Sequence, residues 1–351
     1  MKNRSLVVLA ALFFVLSSCK YLHIDGFSGS TLVWESGANN YFNQEAPSSL
    51  EGTTEILVTG EVDGDQVIKL ETLPWHSVTL REAVTESDTA KFLGTFRYDG
   101  YALSDILSSV KIDKKSKEDF YPPVDLYIEV WNNKGEYAVF SWGELMYSSD
   151  VYNIILAKEV TRVIPGKTGE KWNLPEEMKL VAGGDMFAER AISSPTKIVI
   201  KSLAGDFKVN RDPEVFQAPY LVISPSVSDV DSLFALPADL GLVTKKTIYY
   251  GHGQGYKGVK SFTGVPLDGV LKNLLPSDKK SLREGLVCIE AVDGYRASFS
   301  LSEILNRVDG MEPLLMHGIG GEKGRESFSL YATADMFADR SIKGVSRIKL
   351  Y

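Results

Sequence analysis

Cysteine is nearly absent from this chain, since only Cys19 and Cys288 occur among its 351 residues. Histidine is almost as rare, and the four histidines show neither H-x-x-x-H nor Cys/His spacing. A structural zinc site needs several such ligands at close spacing, so the sequence predicts no metal site. If Cys19 is used elsewhere, Cys288 has no intramolecular partner, which excludes a disulfide framework.

Dense runs of lysine or arginine are also missing. The chain carries 38 basic and 46 acidic residues, a formal charge of −8. Because binding to a nucleic acid needs a clustered positive surface, nucleic acid is not a predicted partner, whereas a small anion remains open. A content of 44% apolar and 24% charged residues is ordinary for a soluble globular protein, and the length favours two domains.

No apolar run is long enough to cross a bilayer as a helix. The N-terminal run LVVLAALFFVL (Leu6–Leu16) falls short of the ~20 residues that a span requires. After the basic start MKNR, it is typical of a secretory signal. The stretch LSSC (Leu16–Cys19) resembles the lipobox of bacterial lipoproteins. The resemblance implies a cell-envelope protein held to the membrane by lipid on Cys19; the alternative is an ordinary signal peptide with an incidental cysteine.

One unusual phrase occurs twice, as DMFAER (Asp185–Arg190) and as DMFADR (Asp335–Arg340). Three further pairs of blocks recur in the same order, among them YAVFSWGELM (Tyr137–Met146) and RASFSLSEIL (Arg296–Leu305). The period is too long for a solenoid repeat and predicts a duplicated domain. The predicted segments are a signal peptide at 1–18, a tether at 19–50, a first domain at 51–205, a linker at 206–217 and a second domain at 218–351.

Local patterns predict an α+β domain made twice, each copy a mixed β-sheet with short helices. β-branched and aromatic runs such as TKIVIKSL and LVCIEAV are typical of strands. Fewer segments, such as ALSDILSSV and PLDGVLKNLL, show apolar residues at helical spacing.

The second copy resembles the molybdopterin-binding domain of the sulfite oxidase family. FTGVPLDGVL, IEAVDGYRASFSLSEIL and ADRSIKGVSRIKL match its characteristic blocks in order. The resemblance implies two tandem copies of a sulfite-oxidase-like molybdopterin-binding fold, the first more divergent. That family holds molybdenum through a loop cysteine, but Tyr250 stands near that position here, and the corresponding stretch Ser77–Val84 has no sulfur either. Without a soft thiolate ligand, no metal and no cofactor are expected, and molybdopterin in the second domain is the alternative.

Some features of an anion site remain in the second copy. Gly251, His252 and Gly253 belong to a glycine-rich stretch, and Arg340 and Lys343 match positions where the family offers basic groups near its pterin. These five residues predict a small basic pocket for a phosphate, a carboxylate or a pterin. The alternative is a plain glycine-rich turn.

Two more residue patterns have structural explanations. The repeated DMFA-D/E-R phrase fits a turn in which an acid and an arginine pair around a buried Met-Phe. Cys288 lies in an apolar strand-like run, which predicts a buried thiol with a raised pKa.

The functional expectation is therefore a non-catalytic binding or interaction module on an envelope lipoprotein. Its partners would be the membrane, through lipid on Cys19, and a small anion or an envelope protein. No catalytic residue is assigned. The alternative is a molybdopterin-dependent oxidoreductase with the cofactor in the second domain.

Overall fold

The computed structural model describes residues 42–351 apart from 87–88, 206, 208, 211–217, 226–229, 252 and 320–325. The predicted signal peptide, the predicted lipidation site Cys19, most of the tether and linker, and His252 lie outside the described residues. Within the described part, no helix has the length and apolar character needed to cross a bilayer.

Strands make up most of the regular structure. They are β1 (Phe42–Gln44), β2 (Ser48–Ser49), β3 (Glu55–Gly60), β4 (Gln66–Lys69), β5 (His76–Glu86), β6 (Thr89–Ala102), β7 (Leu126–Asn132), β8 (Tyr137–Ser141), β9 (Ile154–Pro165), β10 (Lys179–Ala182), β11 (Pro195–Ser202), β12 (Leu221–Ser224), β13 (Asp231–Leu233), β14 (Val243–Gly251), β15 (Gly255–Pro266), β16 (Leu286–Ala291), β17 (Arg296–Ser300), β18 (Leu314–Ile319), β19 (Glu326–Tyr331) and β20 (Val345–Leu350).

Within residues 42–351, and apart from the gaps given above, the helices are few and short. The α-helices are α1 (Leu103–Ser108), α2 (Trp142–Met146), α3 (Leu267–Leu271), α4 (Lys279–Glu284) and α5 (Leu301–Leu305). Single 3₁₀ turns occur at Leu70–Thr72, Pro123–Asp125, Ala188–Arg190 and Ala338–Arg340.

The expected α+β, sulfite-oxidase-like fold class is wrong. The described residues are mostly β, with 49% strand and 14% helix, and their strands form four sheets. The physical reason lies in helix length. The segments with helical spacing form helices of only five or six residues, too short to build a helical layer over a sheet.

Two of the sheets have five strands each and share one strand order. The first is β4-β3-β11-β7-β8 and the second is β13-β12-β20-β16-β17. We call residues 51–205 the first half of the chain and residues 218–351 the second half. In the first half, β3 lies parallel to β11, as in the pair Val58–Ile198. In the second half, β12 lies parallel to β20, as in the pair Ile223–Ile348. The remaining pairings of both sheets are antiparallel.

The other two sheets are built on long hairpins. One has the path β5-β6-β9-β10, and β2 and β1 also pair along β9. The other has the path β14-β15-β18-β19. Residues 42–44 and 48–49, placed in the tether by the sequence, therefore form strands.

Compactness divides the chain differently from the repeat. The smaller unit comprises Met1–Ala46 and Val163–Glu170, of which residues 42–46 and 163–170 are described, and the larger comprises Pro47–Arg162 and Lys171–Tyr351. The domain boundaries at 51–205 and 218–351 stay a prediction. All the sites described below lie within the larger unit.

Alternation along the strands explains the two main cores. In β3, Ile56 and Val58 are buried while their neighbours are more accessible, as expected for a sheet with one face in a core. Together with Ile128, Val130 and residues of β11, they form the core of the first five-stranded sheet. An equivalent core in the second half gathers residues from β12, β16, β17 and β20.

Candidate functional site

A cavity of about 220 Å³ opens beside the last strand of the second half. It is lined by residues from β14, from the turn between β16 and β17, and from the segment after the Ala338–Arg340 turn. The lining residues are Tyr249, Gly251, Gln254, Asp293, Tyr295, Ala338, Asp339, Ser341, Ile342 and Lys343.

The structure assembles only part of the predicted anion pocket. Gly251 and Lys343 both line the cavity. Gly253 is exposed in the β14–β15 turn with a φ of 60° and lies outside the lining. Arg340 is also absent from the lining, because its side chain turns into the interior and is only 1% exposed. Lys343 and Arg340 therefore do not act together on one ligand.

Arg340 is held by two carboxylates in a buried cluster. Its Nε and Nη2 donate to Asp335 at 2.9 and 2.6 Å. Its Nη2 also lies 2.6 Å from Glu303 Oε1, and its Nη1 donates to Ser141 Oγ at 3.0 Å. The guanidinium stacks over Phe299 at 4.5 Å. Because a buried guanidinium needs such partners, Arg340 is a structural residue here.

Arg190 makes the matching cluster with residues of the first half. It donates to Asp185 from Nε and Nη2 at 2.9 and 2.6 Å, and to both oxygens of Glu144 at 2.6 and 2.9 Å. Its Nη1 reaches Ser300 Oγ at 3.1 Å, and its guanidinium lies over Phe140 at 4.2 Å.

Each arginine cluster includes a serine from the other half of the chain, Ser141 for Arg340 and Ser300 for Arg190. Ser141 accepts the Glu144 backbone N–H at the start of α2, and it also donates to Glu303 at 2.7 Å. Ser300 caps α5 in the same way by accepting the Glu303 N–H, and it donates to Glu144 at 2.9 Å. Each helix cap therefore also satisfies the ion pair of the other half.

The repeated DMFA-D/E-R phrase is explained by this exchange. The predicted acid–arginine pair is confirmed in both copies. The predicted burial of Met-Phe is wrong, because Met186 and Met336 are 48% and 43% exposed and Phe337 is exposed as well. A backbone bond from Met186 N–H to Asn306, matched by one from Met336 N–H to Tyr147, fixes each phrase on the helix of the other half. The arginine, not the methionine, is thereby directed inward.

Charge within the cavity is mixed. Lys343 contributes one ammonium group, whereas Asp293 and Asp339 contribute two carboxylates. Asp293 accepts the backbone N–H of Tyr295 at 2.9 Å, and the Tyr295 hydroxyl donates to the Asp339 carbonyl at 2.6 Å. Burial raises the pKa of Tyr295 and of Tyr249, so both phenols stay neutral at physiological pH. Two neutral aromatic side chains, one ammonium group, two carboxylates and the exposed Gln254 amide therefore line the site.

Sequence reasoning missed Tyr249, Asp293, Tyr295 and Asp339. The DGY motif could have indicated two of them. It forms the turn between β16 and β17, and Asp293 and Tyr295 of this turn line the cavity. Asp339 and Tyr249 gave no signal. Their approach depends on the packing of β14 against the Ala338–Arg340 turn, which local sequence does not encode.

The residues present do not fit thiolate-held molybdenum. Tyr250 lies on an exposed face of β14, with its ring 5.3 Å from that of Phe337. Cys288 is 1% exposed in β16, and burial raises the pKa of its thiol, which confirms the sequence-based prediction for this residue. A thiol of this kind is a poor metal ligand because the thiolate is disfavoured.

Among the described residues, no group of three or more His, Cys, Asp or Glu side chains is arranged to hold a metal ion. No protein-family model matches the chain, and no curated protein matches its sequence.

Proposed function

We propose that this chain is an exported, lipid-anchored binding module without catalytic activity, and that its ligand binds in the cavity beside Lys343. The observation that carries the proposal is the composition of that cavity. Two neutral tyrosines and an ammonium group line about 220 Å³. A concave site with an aromatic lining and a few polar groups is typical of small-molecule binding.

The fate of the other chemically capable groups favours binding over catalysis. Arg190 and Arg340 are fully engaged in buried ion pairs, and Cys288 is buried as a neutral thiol. Among the described residues, Arg340 points away from the cavity that Lys343 lines, and Cys288 is buried as a thiol, so neither supports the alternative of a molybdopterin-dependent oxidoreductase.

The charge balance of the cavity defines the ligand class. Lys343 attracts one negative group, whereas Asp293 and Asp339 oppose further negative charge. The tyrosine rings offer apolar contact. Because the lining is net negative, a ligand must place its one negative group directly at Lys343 and cover the rings with an apolar body, so we expect a small aromatic carboxylate in preference to a multiply charged phosphate.

Calorimetric titration with benzoate and with inorganic phosphate tests the cavity. We expect benzoate to bind more tightly than phosphate, and Lys343→Ala to weaken benzoate binding by about tenfold. Lys69→Ala, at an exposed lysine in the other half, is the matched control and should bind like the parent. Tighter binding of phosphate, or benzoate binding that is insensitive to Lys343→Ala, would contradict the proposed ligand class.

The anchor is tested separately by Cys19→Ala. The lipobox resemblance predicts that the parent chain is lipidated and membrane-bound, and that the variant stays uncleaved or moves to the soluble fraction. Mass spectrometry of the N-terminal peptide and membrane fractionation give the readout. A variant that is processed and membrane-bound like the parent would show that the lipobox interpretation is wrong.

A further inference from the structure

The hairpin formed by β14 and β15 differs in charge from the rest of the chain. Residues 243–266 contain four lysines (Lys245, Lys246, Lys257 and Lys260) and no Asp or Glu, in a protein whose formal charge is −8. Lys246, Lys257 and Lys260 are exposed, and none of the ion pairs of the described residues involves them. The hairpin is therefore a solvent-facing basic element on an acidic protein.

The same hairpin exposes apolar and aromatic side chains on one face. Ile248 pairs with Val259 and Tyr250 pairs with Tyr256, so each pair projects from the same side of the ribbon. Their exposed fractions are 72% and 56% for Ile248 and Val259, and 46% and 65% for Tyr250 and Tyr256. Large apolar groups gathered on one face are unusual on a surface that meets only water.

The Tyr250 ring contacts Phe337, whereas Ile248, Val259 and Tyr256 keep more than half of their surface exposed. Among the described residues, β15 pairs with β18 only at Val265 and Pro266, at the base of the hairpin. Beyond that base the element is two-stranded. The turn is made with Gly253 and Gly255 at φ of 60° and 74°, values that suit glycine because it has no Cβ.

We infer that this hairpin is a membrane-contact element that lays Tyr250 and Tyr256 on an anionic phospholipid surface and holds its exposed lysines close to the headgroups. Charge complementarity identifies the partner, because acid-free basic segments are attracted to anionic headgroups. Tyrosine rings favour the interface between headgroups and acyl chains, and lysine stems reach along apolar surface while their ammonium groups meet phosphate. Ile248 and Val259 supply apolar area for shallow insertion.

The inference draws on the proposed lipid anchor, which would hold the hairpin near a bilayer. Its test does not depend on that anchor. For this test the chain is produced from residue 19 onward, without the predicted signal peptide and with Cys19→Ala, so that it carries no lipid. It is mixed with vesicles of phosphatidylglycerol and phosphatidylethanolamine, or with vesicles of neutral phosphatidylcholine. Co-sedimentation measures binding at low and at physiological ionic strength.

We expect binding to the anionic vesicles only, weakened by salt because exposed charges are screened. Replacing Lys246, Lys257 and Lys260 by glutamine should weaken binding by roughly a hundredfold. The matched control replaces Lys69, Lys272 and Lys279, three exposed lysines outside the hairpin, and removes the same charge. It should retain most of the binding.

Insertion is read out separately with Tyr256→Trp, a substitution at an exposed site. The new indole fluorescence should shift to the blue and be quenched by brominated lipid on anionic vesicles. Failure of the parent chain to bind anionic vesicles overturns the inference, and so does equal loss in the control triple variant. If the chain does not bind anionic vesicles but binds an acidic protein through the hairpin lysines, the hairpin is a protein-docking surface and the membrane assignment is wrong. None of these outcomes affects the lipidation test at Cys19.

Discussion

The hairpins β5–β6 and β14–β15 hold the same place in the strand order of their halves, but they have opposite surroundings. In the first, β6 pairs with β9 from Phe96 to Ala102, and Phe96 and Tyr98 are buried. In the second, the described pairing with β18 stops at the base, and Ile248 and Tyr256 are exposed. The two sheets therefore share a strand order, whereas the pairing and the exposure of their outer hairpins differ.

Charge follows the same division. The first hairpin carries both signs, and its buried Glu82 is paired with Lys179 and accepts the Tyr98 hydroxyl at 2.6 Å. The second carries only lysines. The arginine clusters, in contrast, are nearly the same in both halves. What the two halves share is the buried network, and what distinguishes them is the accessible surface.

The largest expected effects come from the shared clusters. Arg190→Met and Arg340→Met each leave two buried carboxylates without their partner, which should lower the free energy of unfolding by about 3–5 kcal/mol. Arg190→Met should lower the free energy of unfolding slightly more than Arg340→Met, because Arg190 binds both oxygens of Glu144, whereas Arg340 reaches one oxygen of Glu303. Urea unfolding followed by circular dichroism measures both.

The control for that pair is Arg347→Met, whose own side chain is 53% exposed and lies 3.7 Å from the partner Glu290. It should change the unfolding free energy by less than ~1 kcal/mol. A small effect at either buried arginine would show that the two halves do not depend on the clusters in the same way.

The hairpins should respond unequally to truncation. Phe96→Ala empties a buried site beside Tyr98 and Trp172 and should cost about 3 kcal/mol. Val259→Ala, on the exposed ribbon, should change the unfolding free energy by less than ~0.5 kcal/mol. Thermal and urea unfolding give the comparison. A large loss for Val259→Ala would mean that the second hairpin is covered in solution.

The smallest effect separates the two glutamates. Burial raises the pKa of Glu144, but the Arg190 guanidinium outweighs it, so the pKa lies below its usual value. Burial raises the pKa of Glu303, and Arg340 offsets this only in part. Ionised Glu144 therefore stabilises the fold above its ordinary pKa, and this contribution is lost as pH falls through the lowered value. Ionised Glu303 has the opposite sign, since its proton is held more tightly in the folded chain.

At neutral pH, Glu144→Gln should then destabilise the fold more than Glu303→Gln. This difference should narrow as pH falls through the raised pKa of Glu303, and it should vanish below the lowered pKa of Glu144. Urea unfolding at several pH values checks this. A gap of constant size across that range would mean that hydrogen-bond geometry, and not ionisation, distinguishes the two sites.

The sequence anticipated the local features of this molecule. Strand runs such as TKIVIKSL became β11, the Asp–Arg pairs form in both copies, and Cys288 is buried with a raised thiol pKa. Each of these depends on neighbours that are close along the chain or on simple alternation. The helical layer of the expected α+β class failed because apolar spacing does not set helix length, and α1 and α3 end after six and five residues.

The sequence by itself therefore determined the local features: the alternating strands, the duplicated acid–arginine phrase, the lysine-rich and acid-free segment of the β14–β15 hairpin, and the apolar surroundings of the Cys288 thiol. Tertiary structure alone decided where the arginines point. Arg340 meets Ser141 across 199 residues of chain, and Ser141 meets Glu303 across 162. A buried guanidinium must lie beside carboxylates that neutralise it. The direction of the Arg340 side chain is therefore set by the packing of Glu303 and Ser141 around it, and its closeness to Lys343 along the chain does not bring the two side chains to one site.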